Sequence, residues 1–271
     1  MGNILKSTTQ SNGQNLKRKL ELDESDCSSG VREIKRRKHG STSKYIYNAL
    51  FINGENSDIT IRAADREWKL HKVYLRQAGY FSGMFQGVWK ETDMTVIDLH
   101  IPDDNITENS LNSAFGSLYS DDLTISPNLV ISVLAAASLI QLEGLMDQCS
   151  QVMIESISVE NVCEYYHASR VYGQTKVEES CINWLENNLM IKFLNNNLIS
   201  AIDPELMTRL VSSQELFILQ VEMDVYTLLR RWLFLRLNDP GHQVGDKSTI
   251  SLFFREKYRE SGKAFVLTYD G

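Results

Sequence analysis

The stretch of sequence that decides the fold lies between residues 70 and 85. It reads Leu70-His71-Lys72-Val73-Tyr74-Leu75 and, after three further residues, Gly79-Tyr80-Phe81-Ser82-Gly83-Met84-Phe85. Within it, His71 taken alone could serve as a metal ligand or a base. Because no second His, Cys or carboxylate lies at a ligand spacing on a predicted helix, we interpret His71 as a structural residue.

Strand-like segments flank this stretch on both sides. Residues 58–62 alternate apolar and polar side chains, and residues 67–70 follow after a turn at 64–66, which predicts a β-hairpin. A third strand is predicted over residues 95–101, and it ends at Pro102.

Helical periodicity replaces the strand pattern further along the chain. Apolar residues between 111 and 118 recur at i, i+3, i+4 and i+7, and those between 142 and 153 repeat this spacing. Residues 129–142 are apolar nearly all round, which predicts a buried central helix. The result is a small sheet covered by helices.

A short apolar stripe precedes the strands. Tyr45, Ile46, Ala49 and Leu50 lie on one side of a predicted helix. The polar turn at residues 53–56 follows at once, so this helix has little else of its own to pack on. We expect it to pack on another part of the fold or on a second chain.

The composition is that of a protein with a hydrophobic core. The 271 residues are 42% apolar and 23% charged, which leaves room for two modest domains. Four cysteines without a C-x-x-C pair favour a reducing compartment, and we expect the three beyond residue 100 to be small buried hydrophobes. The longest apolar run, residues 130–140, is about half of a bilayer span. The protein is predicted to be neither secreted nor membrane-spanning.

Charge is distributed unevenly along the chain. Residues 1–44 contain ten Lys or Arg and five Asp or Glu, so their net charge is +5. The rest of the chain has a net charge of −12, and the two parts add up to the total of −7. The first 43 residues are also poor in apolar side chains and lack periodicity, and we predict that they form a disordered basic tail.

This tail contains two basic clusters, Lys17-Arg18-Lys19 and Lys35-Arg36-Arg37-Lys38. We interpret them as nuclear-localisation signals, the alternative being a solvated linker. Direct nucleic-acid binding is not expected, because no aromatic residue precedes Tyr45. Gly2 is a weak candidate for myristoylation, since Lys6 occupies the place of the expected Ser or Thr. Membrane contact is therefore predicted only if Gly2 is acylated.

From residue 158 onward the periodicity is helical throughout. Apolar stripes occupy residues 177–185 and 225–232. The sequence Asp203-Pro204-Glu205 predicts a helix start, with Asp203 as the N-cap and Pro204 in the first helical position. We expect a short stack of paired helices.

The motifs in the first half resemble the BTB/POZ domain. Ser57-Asp58-Ile59, the turn at residues 70–75 and the helix at residues 79–85 match that family's strand aspartate, LHK-type turn and "YF..MF" helix. The resemblance implies a dimerising α+β module whose first helix packs across the partner. The residues at this implied dimer interface are Tyr45, Ile46, Ala49 and Leu50. It also implies that His71 caps the turn.

BTB proteins that recruit the ubiquitin-ligase scaffold cullin-3 share a hydrophobic-x-Glu element after this helix. Trp89-Lys90-Glu91 fits the element, with the ring as an anchor and the carboxylate fixing the register. Tyr119 matches a position where such adaptors often have another aromatic cullin contact. The resemblance therefore implies cullin binding through Trp89, Glu91 and Tyr119, the alternative for Trp89 being a surface ring that covers a helix end.

The helical half is similar to the BACK domain that follows BTB in cullin-3 adaptors. The basic tail, residues 43–58 and residues 115–119 together resemble the germ cell-less family, whose members continue with a C-terminal domain expected to choose the target. The implied organisation is a disordered tail (1–43), an α+β BTB/POZ domain (44–155), an all-α BACK domain (156–240) and the start of a truncated C-terminal region (241–271).

Enzymatic function is not expected, because the chain contains no Walker loop, dinucleotide fingerprint, zinc-protease motif or nucleophile elbow. We expect a dimeric adaptor of a cullin-3 RING ubiquitin ligase without cofactor or metal. Its implied partners are cullin-3, a second copy of itself, an unknown protein substrate and nuclear-envelope proteins. The resemblance further implies a nuclear location, at the envelope or matrix, and a role in germ-cell development. The alternative is a nuclear scaffold or transcriptional co-regulator that uses BTB only for protein–protein interaction.

Overall fold

The computed structural model describes residues 41–86, 94–120, 124–218, 222–238 and 247–261. In chain order the elements are α1 (Thr42–Ile46), its π-helical continuation (Tyr47–Ile52), β1 (Ile59–Ala63), β2 (Arg66–Leu70), α2 (Lys72–Leu75), α3 (Gly79–Gln86), β3 (Val96–Asp98), α4 (Glu108–Ser117), α5 (Val130–Ile140), α6 (Glu143–Glu155), α7 (Val162–Val171), α8 (Thr175–Asn188), α9 (Asn196–Ala201), α10 (Pro204–Val211), α11 (Glu222–Leu237) and α12 (Lys247–Ser261). The predicted fold class, an α+β domain followed by helices, is confirmed.

The sheet has the strand order β2-β1-β3. β1 and β2 form the predicted hairpin, and its turn residues Ala64 and Asp65 both have positive φ, as a tight two-residue turn requires. β3 pairs parallel to β1 after the chain has passed through α2 and α3. It is shorter than predicted, since pairing ends at Asp98.

The core of the first half is formed by the sheet together with α3, α4 and α5. Seven of the eleven α5 residues are buried, which confirms the predicted central helix. On the sheet side, Trp68 packs against Phe115 of α4 with ring centroids 5.5 Å apart, and its indole Nε1–H donates to Asn112 Oδ1. Phe81 of α3 also packs on Phe115, with ring centroids 6.3 Å apart. Thus α3, α4 and the sheet share one aromatic cluster.

The second half is a stack of helices, as the periodicity predicts. α10 begins where expected: Asp203 Oδ1 accepts the backbone N–H of Leu206 at 2.7 Å, and Pro204 is the first helical residue. α11 is fixed across the stack, because Trp232 Nε1 donates to the carbonyl of Ile202 at 2.8 Å. α12 packs on α11 through Phe234 and Phe253. The BACK assignment of these helices stays a prediction.

A hydrogen-bonded contact links the two halves. The Tyr172 hydroxyl, just after α7, donates to Asp103 Oδ2 at 2.6 Å, and Asn105 Nδ2 donates to the same hydroxyl at 3.0 Å. Since Asp103 and Asn105 lie in the loop before α4, the start of the helical stack is tied to the α+β domain.

Three cysteines are buried free thiols: Cys149 on α6, Cys163 on α7 and Cys181 on α8. Burial raises their pKa values to about 12, 11 and 12 respectively. This confirms the prediction that they are small buried hydrophobes. The fourth, Cys27, lies outside the described residues.

The predicted disordered tail also lies outside the described residues, except for its last three. Of these, Thr42 already begins α1, so the first helix starts earlier than predicted. Within the described ranges, no helix is both long and apolar enough to cross a bilayer.

Candidate partner-binding surfaces

The predicted cullin-binding element follows α3 in the sequence. Trp89 and Glu91 both lie outside the described residues, so their contacts stay predictions. The description stops at Gln86, the last residue of α3, and resumes at Met94. The surface around these two ends can be examined directly.

A groove with apolar and polar lining lies between α3 and β3, and Met94, where the description resumes, is part of its wall. It encloses about 720 Å³ and is lined by Tyr80 and Met84 of α3 and by Met94 and Val96 near β3. Met94 and Val96 are 43% and 36% exposed, so their apolar surface faces the solvent. A concave surface of this kind can hold an apolar side chain.

A close backbone approach sets one end of this groove. The backbone N–H of Gly79 donates to the carbonyl of Gln141 at 3.0 Å, and a Cβ at position 79 would lie 2.9 Å from the Gln141 side chain. Gln141, with φ of 56°, ends α5. A larger residue at position 79 would therefore force the Gln141 side chain to shift.

Tyr119 does not present the exposed aromatic contact that the resemblance implies. Its side chain is 4% exposed, and its ring stacks on Tyr74 with centroids 4.3 Å apart. Burial raises the pKa of its hydroxyl. The prediction of Tyr119 as a cullin contact is corrected accordingly: the residue supports the domain from within.

The Tyr119 hydroxyl and the His71 ring form one buried hydrogen-bond network. The hydroxyl accepts the backbone N–H of His71 at 3.1 Å and lies 3.1 Å from His71 Nδ1, while His71 Nε2 lies 2.8 Å from the carbonyl oxygen of Glu55. Because a carbonyl only accepts, Nε2 carries the proton, and Nδ1 accepts from the tyrosine. Both ring nitrogens and the hydroxyl thus have partners within the network.

This network makes His71 a structural residue, but not as a side-chain cap. The imidazole makes no capping bond to α2. Instead, Asp58 Oδ1 accepts the backbone N–H of Lys72, the first residue of α2, at 2.8 Å. Sequence reasoning had identified Asp58 only as a family-pattern residue, although Asp is a common acceptor at helix starts.

The four predicted dimer-interface residues differ in exposure. Tyr45 is 70% exposed and Ile46 and Leu50 are half-buried, but Ala49 is only 6% exposed. The inclusion of Ala49 is therefore corrected, because its side chain has little surface left for a partner. Ile52, which the sequence stripe did not include, is 58% exposed.

Ala49 is buried because the first helix packs on its own chain. A Cβ at Gly116 of α4 would lie 3.2 Å from both the Phe51 ring and the Tyr47 hydroxyl, so the π-helical turn lies directly against α4. Phe51 also packs on Tyr119. One face of the helix is thereby buried against α4, whereas Tyr45 and Ile52 are exposed to solvent.

The remaining predictions concern the two basic clusters and the absence of a metal site. The basic clusters Lys17-Arg18-Lys19 and Lys35-Arg36-Arg37-Lys38 lie outside the described residues. In the part of the chain that is described, no group of three or more His, Cys, Asp or Glu side chains is arranged to hold a metal ion.

Comparison with known proteins gives consistent matches. Residues 47–157 match the BTB/POZ domain family. Over 240 residues, 87% of this chain and 45% of the relative, the sequence is 52% identical to Germ cell-less protein-like 2 of Homo sapiens. It is 52% identical to Germ cell-less protein-like 1 of Homo sapiens over 241 residues, covering 88% of this chain and 46% of the relative. It is 41% identical to Protein germ cell-less of Drosophila melanogaster over 245 residues, covering 87% and 43%. The chain spans less than half the length of these relatives.

Proposed function

Since the chain belongs to the germ cell-less family of BTB/POZ proteins, we propose that it is a substrate adaptor of a cullin-3 RING ubiquitin ligase with a role in germ-cell development. One observation carries the proposal: Trp89-Lys90-Glu91, the hydrophobic-x-Glu element, follows directly after α3 of a folded BTB domain. The chain would bind cullin-3 and a target protein, and other subunits of the ligase would carry out ubiquitin transfer.

The groove between α3 and β3 supports this role. Met94, directly after the segment that contains Trp89 and Glu91, lines it together with the exposed Val96 and Asp98. A tryptophan ring can offer a partner helix a large contact area at small entropic cost. The Glu91 carboxylate would fix the orientation of that helix.

The test is co-migration with the N-terminal region of cullin-3 in gel filtration, followed by titration calorimetry. We expect Trp89→Ala combined with Glu91→Lys to weaken binding by at least about tenfold, because both anchors are lost. Glu179→Lys is the matched control, since Glu179 is an exposed acid on α8, and it should leave binding unchanged.

Undiminished binding of the double variant would contradict the mechanism. Absence of any complex with the unmodified chain would instead favour the second function, a scaffold or co-regulator that uses BTB for other protein contacts.

The adaptor is proposed to work as a homodimer. BTB domains mediate homodimerisation, and Tyr45 and Ile52 leave an exposed apolar face on the first helix. A charge at Ile46 should disrupt packing there, so Ile46→Asp should lower the mass measured by light scattering towards that of a monomer. Ile191→Asp, at an exposed apolar position of the helical stack, should not. An unchanged dimer in both variants would place the interface elsewhere.

A nuclear location is proposed from the two basic clusters. Changing Lys35, Arg36, Arg37 and Lys38 to Ala should move a fluorescently tagged chain from the nucleus to the cytoplasm. A control with Arg255, Lys257 and Arg259 changed to Ala removes positive charge from α12 instead. If both variants stay nuclear, the cluster at 35–38 is not the import signal.

A further inference from the structure

The sheet of the BTB domain ends at β3 in the described part of the chain. The strand order β2-β1-β3 places β1 on one side of β3, and no other described strand pairs with its opposite side, which we call the outer edge. A strand at a sheet edge presents a row of backbone donors and acceptors to an incoming chain. The outer edge of β3 is therefore a candidate binding site for a partner's backbone.

The pairing with β1 shows which residues of β3 are already bonded. The backbone N–H of Thr60 donates to the carbonyl of Thr95, and the backbone N–H of Leu99 donates to the carbonyl of Arg62, both at 2.8 Å. The two chains pair in parallel. Because the backbone groups of successive strand residues point to opposite sides, residues 95, 97 and 99 face β1.

The backbone groups of Val96 and Asp98 accordingly point to the outer edge. Among the described residues, the hydrogen bonds of turns, loops and caps include no backbone group of either residue. Two N–H donors and two carbonyl acceptors are thus spaced as in an extended chain. The backbone that matches this pattern is an extended one, because a helix bonds its own N–H and C=O groups internally.

The α3–β3 groove provides space beside the outer edge. It is lined by Met94, Val96 and Asp98 on the strand side and by Gly83 and Met84 on the helix side. A Cβ at Gly83 would meet no atom within 4 Å, so the helix surface at this position is open. The volume of about 720 Å³ lies in the range of sites that hold ligands of the size of a short peptide segment.

The side chains around the groove restrict the chemistry of that segment. Tyr80, Met84 and Met94 give it apolar walls. The Asp98 side chain is exposed, and none of the ion pairs found among the described residues includes it. A basic side chain opposite Asp98 would form a cross-strand pair, and the net charge of −12 on residues 45–271 also favours a basic partner.

We propose that the groove binds an extended segment of a partner protein, which adds a strand to the outer edge of β3 and alternates apolar with basic side chains. Its backbone bonds to that of Val96 and Asp98. Its apolar side chains pack on Tyr80 and Met84, and a Lys or Arg pairs with the Asp98 carboxylate. This interaction goes beyond the adaptor function, because it requires no contact with cullin-3.

The test uses the whole chain and short labelled peptides in which Val and Lys alternate. Fluorescence anisotropy should show saturable binding of the unmodified peptide. Two further peptides carry N-methyl groups on the backbone nitrogens of all Val or of all Lys residues. Since an added strand bonds to the edge through every second residue only, one of them should bind at least about tenfold more weakly and the other should bind like the unmodified peptide.

A charge exchange tests the contact at Asp98. Asp98→Lys should weaken binding of the Lys peptide by about fivefold and strengthen binding of a peptide with Glu in place of Lys. Asp147→Lys, at an exposed acid on α6, is the matched control and should change neither affinity.

A proline tests the backbone contact. Val96→Pro removes an N–H that β1 does not use, so the edge strand should tolerate it while the peptide loses a bond and binds at least about tenfold more weakly. If Val96→Pro does not fold, as judged by circular dichroism, the two N-methylated peptides and the charge exchange decide the question.

Four results would overturn the proposal. They are failure of the unmodified peptide to bind, equal binding of the two N-methylated peptides, equal effects of the Asp98 and Asp147 variants, and self-association of the chain beyond a dimer that Val96→Pro abolishes. The last result would assign the outer edge to a second copy of the chain. The peptide assay contains no cullin-3, so its outcome is independent of whether the adaptor mechanism holds.

Discussion

The BTB domain and the helical stack treat buried polar side chains differently. In the BTB domain, His71 and Tyr119 match each other's polar atoms, and the carbonyl of Glu55 completes the set. In the helical stack, Arg231 uses one nitrogen on Asn196 and leaves another buried without an acceptor among the residues that the structure describes. We call the first arrangement closed, because its polar atoms all have hydrogen-bond partners, and the second open, because one donor has none.

The difference teaches how to separate a matched polar group from an unmatched one. Burial alone does not distinguish them, because His71 and Arg231 are both shielded from solvent to some degree. A closed network gains nothing from a ligand, since each donor already has its acceptor. An open donor is penalised in the free protein, and a ligand that matches it removes that penalty. Stability measurements can therefore test the comparison.

The largest effect is expected at the closed network. His71→Ala removes a buried ring and leaves the Tyr119 hydroxyl and the Glu55 carbonyl without partners, so the free energy of unfolding should fall by about 3 kcal/mol. Urea denaturation followed by circular dichroism measures this. His100→Ala is the matched control, because His100 is exposed in the same domain, and its effect should be close to zero. Equal effects would mean that the network contributes nothing.

The closed network also shows what sequence can and cannot predict. The hairpin, the buried helix α5 and the start of α10 depend on local patterns, which short windows of sequence contain. The partners His71 and Tyr119 are 48 residues apart, so the burial of Tyr119 depends on tertiary packing that periodicity does not report. A family pattern that placed Tyr119 on a surface could not reveal this contact.

The same limit applies to the other corrected or missed residues. Ala49 shares its helical stripe with Tyr45, but Gly116 of α4 lets the helix approach so closely that the stripe is divided between core and surface. Arg231 meets Asn196 from 35 residues away, and sequence contains no signal for its unmatched Nε. The sequence pattern that resembles the BACK domain includes the adjacent pair Arg230-Arg231, but it does not indicate their contacts.

A smaller effect is expected where the two regions meet. Tyr172→Phe removes the hydroxyl that donates to Asp103 and accepts from Asn105. Because this contact is partly exposed, the free energy of unfolding should fall by about 1 kcal/mol. Tyr45→Phe, which removes an exposed hydroxyl, is the control for urea denaturation. A Tyr172→Phe protein as stable as the control would show that the two regions are held together by apolar packing alone.

Arg231→Met should change stability less than either substitution above. The loss of the bond to Asn196 is offset by removal of the unmatched Nε, so the free energy of unfolding should change by about 0.5 kcal/mol or less. This prediction is the most direct test of the difference between the two regions. If Arg231→Met costs as much as His71→Ala in the same denaturation assay, the arginine is a structural residue like the histidine, and the two regions do not differ.

The smallest effect concerns pH. The Tyr172 hydroxyl, which donates to Asp103, holds the pKa of this carboxyl below its ordinary value of 3.8. A lowered folded-state pKa favours folding with the carboxyl ionised, so the stabilisation is complete above 3.8 and disappears as the pH falls through the lowered value. The stability difference between the unmodified chain and Asp103→Asn should follow this course in acid titrations monitored by fluorescence. A difference independent of pH would exclude the charge as its source.

The three buried thiols give the chain a set of internal reporters. Alkylating reagents attack the thiolate, and burial both keeps the proton on the sulfur and excludes the reagent. Cys149, Cys163 and Cys181 should each be modified only while their own helix is transiently open. Because Cys149 lies in α6 of the BTB domain and the other two lie in α7 and α8, mass spectrometry of one labelled sample would time the opening of each region separately. The native sequence thus supports a residue-resolved measurement of its own local dynamics, without any introduced probe.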